Sequence, residues 1–470
     1  MNKNKKPYTP KKISGDNVEV LFLEIVIKSG FTTPITPAYN IFMSLLAERG
    51  ITSAIHSFNS NKIGSLDFKV DKTYIRGVEP DGEYRKELDT IIKKTNPKII
   101  AMSLVTSTYK RGKKIAQEIK KSYPHIVLIT GGIHPTFAPE QTLKDGFDYV
   151  FVRDGFQTIA QTVEDILLKR GPDTRIIAPP RPFVEFPDSL PLAHPNANDN
   201  RSCFYFGTFK NLLFTSYGCS EVCKFCAGAG YYKTGRIALS PERVVDEMQW
   251  QIEQFDNNEF LICDPVLVKD SKDDLTRMLK IMDLIDEQEH EIFLTTEIKA
   301  DIISTLYRER IDDFKKIYKH CTSTVFGIES VRENNLQTYK HQTINDIEIA
   351  IEAINSLEII TAMFYIIGFP YDTEKSIKED LKLVRNMAGP NTFIPIFIFT
   401  PDPLSKLFRE MEEYNLIATK DWDKYAHKDL VWRHKNFNPP QLKKLYHEMR
   451  ETYGTPAWAK EMWENEMMQI

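Results

Sequence analysis

The sequence lacks any apolar run near the ~20 residues that a membrane-spanning helix requires, so no such span is expected. It also lacks an excess of one charge. Over 470 residues the net charge is −4, which removes the bulk electrostatic case for a nucleic-acid or anionic-membrane partner. Cysteine is scarce, and six in a chain of this length describe no disulfide framework. No apolar stretch follows the lysine-rich start, so Met1–Lys12 reads as solvated tail rather than signal peptide. No repeat, charge cluster or separate recognition module points to a substrate class.

What is present is an alternation. Short apolar runs at Val18–Val26, Ile99–Leu104, Ile126–Thr130 and Tyr149–Val152 are separated by amphipathic segments such as Ala38–Arg49, Tyr109–Lys121 and Thr158–Lys169. Strands alternating with helices predict a doubly wound, Rossmann-like parallel sheet whose ligands sit at the carboxyl ends of its strands. Gly131-Gly132 falls at such an end, where glycine permits close approach of backbone or ligand, or simply makes a tight turn. Residues 171–210 are proline-rich and aperiodic, the composition of a linker, and are expected to lie extended and packed between two domains.

From Asn211 the alternation resumes. Strands are expected at Asn211–Ser216, Phe260–Cys263, Glu291–Thr296, Ser323–Ile328, Ala362–Ile367 and Phe393–Phe399, with helices between them. Ser240-Pro241-Glu242 opens one helix, and Thr343 with Asp346 opens another as a capping box. Barrel chemistry sits at the carboxyl ends of such strands. Beyond Pro401 the chain turns helical and aromatic, through Trp422, Trp432, Tyr446, Trp458 and Trp463.

Three of the six cysteines are grouped. Cys219, Cys223 and Cys226 stand at C-x3-C-x2-C spacing directly after an apolar strand. A cubane cluster normally takes four thiolates, so a loop of three leaves one iron open to an exogenous ligand. Structural zinc wants four ligands, usually in two pairs, and no second pair lies nearby. The remaining Cys203, Cys263 and Cys321 are scattered.

The spacing, with Phe225 before the last cysteine, resembles the cluster loop of radical S-adenosylmethionine (SAM) enzymes. Ser103-Leu104-Val105 and Ile129–Thr136 resemble the serine and Gly-Gly loops of cobalamin-binding domains. Together they identify the chain as similar to B12-dependent radical SAM proteins. The resemblance implies a cobalamin-binding-like domain over 17–170 after a flexible basic tail (1–16), a linker over 171–210, a six-strand partial β/α barrel over 211–401 and a helical region over 402–470.

The implied cofactors are a [4Fe-4S] cluster on Cys219, Cys223 and Cys226, SAM on its open iron, and cobalamin. In the family, one electron splits SAM to methionine and a 5′-deoxyadenosyl radical that takes hydrogen from an unactivated carbon. Phe326–Ser330 is similar to the family's fourth-strand SAM segment, which assigns Glu329 and Ser330 to SAM; the alternative for Glu329 is a paired carboxylate holding the next loop. Tyr365–Pro370 resembles the adenine-packing segment around Gly368.

Asp264 stands where many relatives carry Gly-Gly-Glu, and Lys299 where they carry arginine. Ser103, Gly131, Gly132 and His134 fall to the cobalamin site, with His134 equally readable as a structural hydrogen-bonder. The loop Lys28–Pro37 has no D-x-H-x-x-G motif, and Arg153-Asp154-Gly155-Phe156 stands in place of Gly-Glu-Gly-Glu.

The resemblance implies a cytoplasmic methyltransferase acting on an unactivated carbon, with an unknown small-molecule or peptide substrate and a flavodoxin or ferredoxin as electron donor. One alternative is a radical SAM enzyme of cyclisation or rearrangement with a vestigial cobalamin domain. Another is a non-enzymatic iron–sulfur carrier or zinc scaffold.

Overall fold

The computed structural model describes residues 18–25, 38–57, 83–179, 187–194, 204–205, 208–232, 235–269, 271–340, 342–456 and 459. The basic tail, the loop Lys28–Pro37, Cys203, Trp458 and Trp463 lie outside them. The chain divides into two compact units, 1–212 with 246–257, and 213–245 with 258–470.

The first unit is built on a six-stranded sheet: β1 (Val20–Glu24), β2 (Ser53–Ser57), β3 (Ile99–Ser103), β4 (Val127–Gly131), β5 (Tyr149–Phe151) and β6 (Ile176–Ile177). The order is β2-β1-β3-β4-β5-β6, every pair parallel. This is the flavodoxin-like winding, whose switch point between β1 and β3 opens at the carboxyl ends. β1 and β3 are apolar along nearly their whole length, because helices cover both faces of a central parallel strand. Those helices are α1 (Ala38–Ala47), α2 (Glu83–Thr95), α3 (Tyr109–Ser122), α4 (Ile133–Phe137), α5 (Pro139–Lys144) and α6 (Ile159–Leu167).

Two elements escape the apolar-run reading. β2 carries Ser53, His56 and Ser57, so its polar composition hides an edge strand. The expected linker supplies β6, and its residues 190–194 pack inside the first unit. There Ser44 Oγ donates to the Leu192 carbonyl at 2.6 Å, and Trp250 Nε1 donates to the Ala193 carbonyl at 2.8 Å. Where described, the proline-rich stretch is thus mixed: residues 171–175 are mostly exposed, Ile176–Ile177 joins the sheet, Pro187–Ser189 forms a 3-10 turn and 190–194 are buried. A small hairpin of β7 (Phe204–Tyr205) and β8 (Thr208–Phe209) follows.

The second unit carries β9 (Asn211–Leu213), β10 (Ser216–Gly218), β11 (Arg236–Ala238), β12 (Glu259–Ile262), β13 (Phe293–Glu297), β14 (Cys321–Glu329), β15 (Ile360–Ile367), β16 (Thr392–Phe393) and β17 (Ile396–Ile398). Its main sheet runs β9-β12-β13-β14-β15-β16, with β17 also on β15. Strands in chain order, with β12, β13, β14 and β15 parallel and each followed by helix, form an open β/α barrel. The helices are α7 (Ala227–Tyr231), α8 (Pro241–Phe255), of which the part from Asp246 on belongs to the first unit, α9 (Lys272–Asp286), α10 (Ala300–Glu309), α11 (Ile311–Tyr318), α12 (Glu333–Tyr339), α13 (Ile344–Asn355) and α14 (Glu374–Met387), then α15 (Lys406–Glu413) and α16 (Pro439–Tyr453) in the tail.

Two expected strands are broken. Asn211–Ser216 splits into barrel strand β9 and β10, which leaves the barrel to pair antiparallel with β11. The last strand splits into β16 and β17 around Pro395, which has no N–H to give to a ladder. Thr343 and Asp346 do form the capping box of α13.

Candidate active site at the barrel mouth

The cysteine loop leaves β10 at Gly218, whose φ is +88°. A Cβ here would collide with the carbonyl of Gly235, just ahead of β11, so glycine is needed where the loop leaves β10. Asp264, just past β12, fastens the strand feeding the loop. Its carboxylate accepts from the Thr215 N–H (2.7 Å), Thr215 Oγ1 (2.6 Å) and Ser216 Oγ (2.6 Å), all buried. Burial pushes its pKa up against these bonds. Asp264 thus spends its acceptors on the loop's base rather than presenting them to a ligand.

The loop itself is clamped by backbone. Lys224 donates its N–H to the Tyr339 carbonyl at 3.1 Å, and its own carbonyl accepts from the Leu407 N–H at 3.0 Å. Asp402, in the segment ending the barrel, donates its N–H to the Phe225 carbonyl at 3.2 Å and accepts from the Ala227 N–H at 3.3 Å. Gly230 lies so close to the Leu404 carbonyl that a side chain would clash. Phe225 meets Phe399 edge-on with ring centroids 6.4 Å apart. Lys299 donates to Glu221 inside the loop at 2.9 Å and to Asp301 at 3.0 Å. Burial opposes the charge on Lys299, but the two carboxylates outweigh it and hold its pKa raised.

All three thiols are partly buried. Burial pushes Cys223 up to about 11 and Cys226 up to about 12, and raises Cys219. Two backbone N–H groups already aim at sulfur: Glu221 at Cys219 Sγ (3.4 Å) and Gly228 at Cys226 Sγ (3.3 Å). Such N–H···S bonds are among the features that set the potential of an iron–sulfur cluster, and a bound cation would offset the burial that resists thiolate formation. Among the described residues, no three His, Cys, Asp or Glu side chains gather as ligands of one metal ion, these cysteines included. Three thiols on one loop, two of them already accepting backbone N–H groups, are the kind of donor set that a [4Fe-4S] cluster takes. The donor set fits a cluster.

Above the loop, β14 ends in Gly327-Ile328-Glu329. Glu329 has φ +59°, a left-handed conformation that non-glycine residues rarely adopt and that costs on the order of 1–3 kcal/mol. The twist folds its carboxylate back over Gly327, where a Cβ would strike both Glu329 Oε1 and Lys340 Nζ. Lys340 Nζ donates to Glu329 Oε1 at 2.9 Å and to the Gly327 carbonyl at 2.6 Å. Glu329 is thus paired with Lys340 through Oε1.

Ser330 is buried, its hydroxyl accepting from Asn335 Nδ2 at 3.1 Å and the Arg332 N–H at 3.2 Å. Gly368, at φ +82°, gives its N–H to Asp372 (2.8 Å), and a Cβ there would lie 2.7 Å from Leu442 of α16. Both residues shape the turns at this end of the barrel. The tail aromatics Trp432 and Tyr446 are buried.

Sequence reading missed Glu297, the last residue of β13. Its side chain is open to solvent, yet its carboxyl is pushed up to about 7 by the surrounding protein, with Lys340 opposing and Glu329 adding to the rise. The only signal for it was its place as a charged residue at a strand's carboxyl end.

In the first unit, Gly132 (φ +101°) approaches Leu104 so closely that a Cβ would lie 2.8 Å from its carbonyl oxygen and 3.2 Å from Ser103 Oγ. Gly131 and Ser103 pair across β4 and β3. These strand ends are half-exposed, and Val105 beside them shows 41% of its surface. His134 is instead buried, its ring 3.9 Å from that of Tyr109 and 5.8 Å from that of Phe137, and burial lowers its pKa to about 4.

Comparison with known proteins matches residues 53–163 to the B12 binding domain and residues 213–384 to the radical SAM superfamily. An uncharacterized methyltransferase of Pyrococcus horikoshii is 24% identical over 399 residues, covering 82% of this chain and 83% of that protein. A bacteriochlorophyllide d C-8(2)-methyltransferase of Chlorobaculum tepidum is 23% identical over 346 residues, 70% of this chain and 71% of that one. Among solved structures, the radical SAM methyltransferase TsrM from Kitasatospora setae, with cobalamin and a [4Fe-4S] cluster bound, shares the fold at a TM-score of 0.61. It is 14% identical, over 84% of this chain and 78% of its own.

Proposed function

This chain belongs to the radical SAM superfamily, in the branch that carries a B12-binding domain, and on that footing we propose that it is a cobalamin-dependent methyltransferase acting on an unactivated carbon. The observation that carries the reading is the loop of three enclosed cysteines, with N–H groups on two of its sulfurs, near the carboxyl end of the barrel's first strand. Support for methyl transfer comes from the pairing of the two domains and from relatives named as methyltransferases.

When bound, the cluster with SAM supplies a carbon radical that abstracts hydrogen, and cobalamin supplies the methyl group. The chain's own work is placement. Cys219, Cys223 and Cys226 would hold three irons, and the Lys224 and Asp402 clamps keep the loop from shifting. Lys340 fixes Glu329 at the mouth, where that carboxylate can accept from a ribose hydroxyl or an ammonium of SAM. Ser103, Gly131 and Gly132 would line the slot for cobalamin. A small one-electron donor, flavodoxin or ferredoxin, completes the system.

The test is anaerobic reconstitution with iron, sulfide and hydroxocobalamin, followed by SAM and dithionite. Retained corrinoid absorbance together with 5′-deoxyadenosine and S-adenosylhomocysteine is expected, with iron and both products lost in Cys226→Ala. Absence of corrinoid moves the reading to a vestigial domain. Zinc in place of iron overturns it.

A further inference from the structure

Phe369, in the turn that follows β15, has both of its peptide groups taken. Its N–H and that of Gly368 donate to the Asp372 carboxylate at 3.0 and 2.8 Å, and its carbonyl lies 2.7 Å from His434 Nε2. The first fastening is local; the second comes from the tail, 65 residues further along. The imidazole has a fixed tautomer: Nδ1 accepts the Asn436 N–H at 3.0 Å, so the single proton of the neutral ring sits on Nε2 and points at the Phe369 carbonyl. Burial lowers the His434 pKa, which keeps the ring neutral. Asn436 Nδ2 also donates to the Asp372 carbonyl at 2.9 Å, and a Cβ on Gly368 would lie 2.7 Å from Leu442. Three tail residues thus bear on one turn.

The turn is tied to the cysteine loop as well. The Phe369 ring stacks on Tyr339 with centroids 5.3 Å apart and packs on Phe399 at 4.6 Å. Tyr339 in turn accepts the Lys224 N–H through its carbonyl, and Phe399 meets Phe225. A peptide held at both its N–H and its carbonyl cannot rotate, so the ring it carries and the surface at Gly368 keep their place. We propose that His434 is a positioning residue for SAM: by holding the Phe369 carbonyl it sets the wall against which the adenine packs, and this makes the tail part of the cofactor site. The inference rests on the reading of Tyr365–Pro370 as the adenine-packing segment.

The experiment measures SAM affinity by equilibrium dialysis in reconstituted wild type, His434→Gln, His434→Asn and Gly368→Ala, with iron per chain and the urea midpoint taken beside it. Both His434 variants lose the same ring contacts with Trp432 and Phe437, so packing cancels between them. Glutamine still reaches the Phe369 carbonyl with its amide NH2; asparagine is too short to do so, yet can accept the Asn436 N–H. SAM affinity should fall about fivefold in His434→Asn, the scale of one hydrogen bond, and recover in His434→Gln, with iron per chain unchanged in both. Equal affinities in these two variants overturn the proposal and leave His434 a packing residue. Gly368→Ala displaces the turn directly and should weaken SAM further. If it leaves SAM affinity intact, the turn lies away from SAM, and the adenine reading falls together with the proposal. If it weakens SAM while His434→Asn matches wild type, the reading stands and the proposal alone falls.

Discussion

Glu329 shows how one backbone angle decides a side chain's work. In an ordinary strand its carboxylate would point away from the neighbour's level; the left-handed turn returns it over Gly327, within reach of Lys340. Glycine two residues earlier is therefore obligatory. Gly327→Ala should displace both the carboxylate and the ammonium, costing roughly 1–3 kcal/mol of stability by overpacking. SAM binding should weaken by about tenfold, for loss of a charge-assisted contact, while iron per chain is unchanged. Equilibrium dialysis beside an iron assay would show this, and unaltered SAM affinity would remove Glu329 from the cofactor site. The glycine and the acid were legible from their spacing. Their dependence on each other was not, because φ is set by the β-bulge in the β14–β15 register rather than by composition.

Among the elements, β10 and its loop hold the most structure per residue. β10 lies off the main barrel sheet, so its stability comes from β11 and from Asp264 reaching across from the end of β12. Asp264→Asn keeps the shape but exchanges acceptor oxygen for NH2, leaving donors to face donors. The cost should be about 1–3 kcal/mol, read as a lower urea midpoint, together with reduced cluster retention. A variant that is destabilised but keeps its iron would show that the loop does not depend on this fastening.

The apolar runs foretold β1, β3, β12 and most of β14, since strands covered by helices must be apolar. They missed β2 and β6, edge strands that need cover on less of their surface, and they could not show that Asn211–Ser216 would divide between two sheets. That division needs Asp264, 48 residues further on, to be in place.

At the scale of the whole molecule, buried titratable groups pull stability in opposite directions. His134 and His194 are lowered by burial to about 4, so between that value and 6.5 the unfolded chain binds more protons and the fold loses stability as pH falls. Asp154 and Asp372 at about 6, both raised mainly by burial, act the other way: their contribution is present at low pH and lost as pH rises through those values. His134→Phe removes one term of the first kind, on the order of 3 kcal/mol when fully expressed. Its melting temperature should therefore fall less than that of wild type between pH 7 and pH 5. Parallel pH profiles for the two proteins would place His134 in a wetter setting than its packing against Tyr109 indicates.

The order of strands and helices, the doubly wound and barrel halves, the cysteine trio and the glycines at strand ends were written in the sequence alone, because periodicity, turn chemistry and ligand spacing are local. Tertiary structure alone decided that Asp264 and Ser330 are fasteners and that His134 is core. Those roles depend on which distant donor, ring or cation lies beside a residue, and burial has no counterpart along a chain.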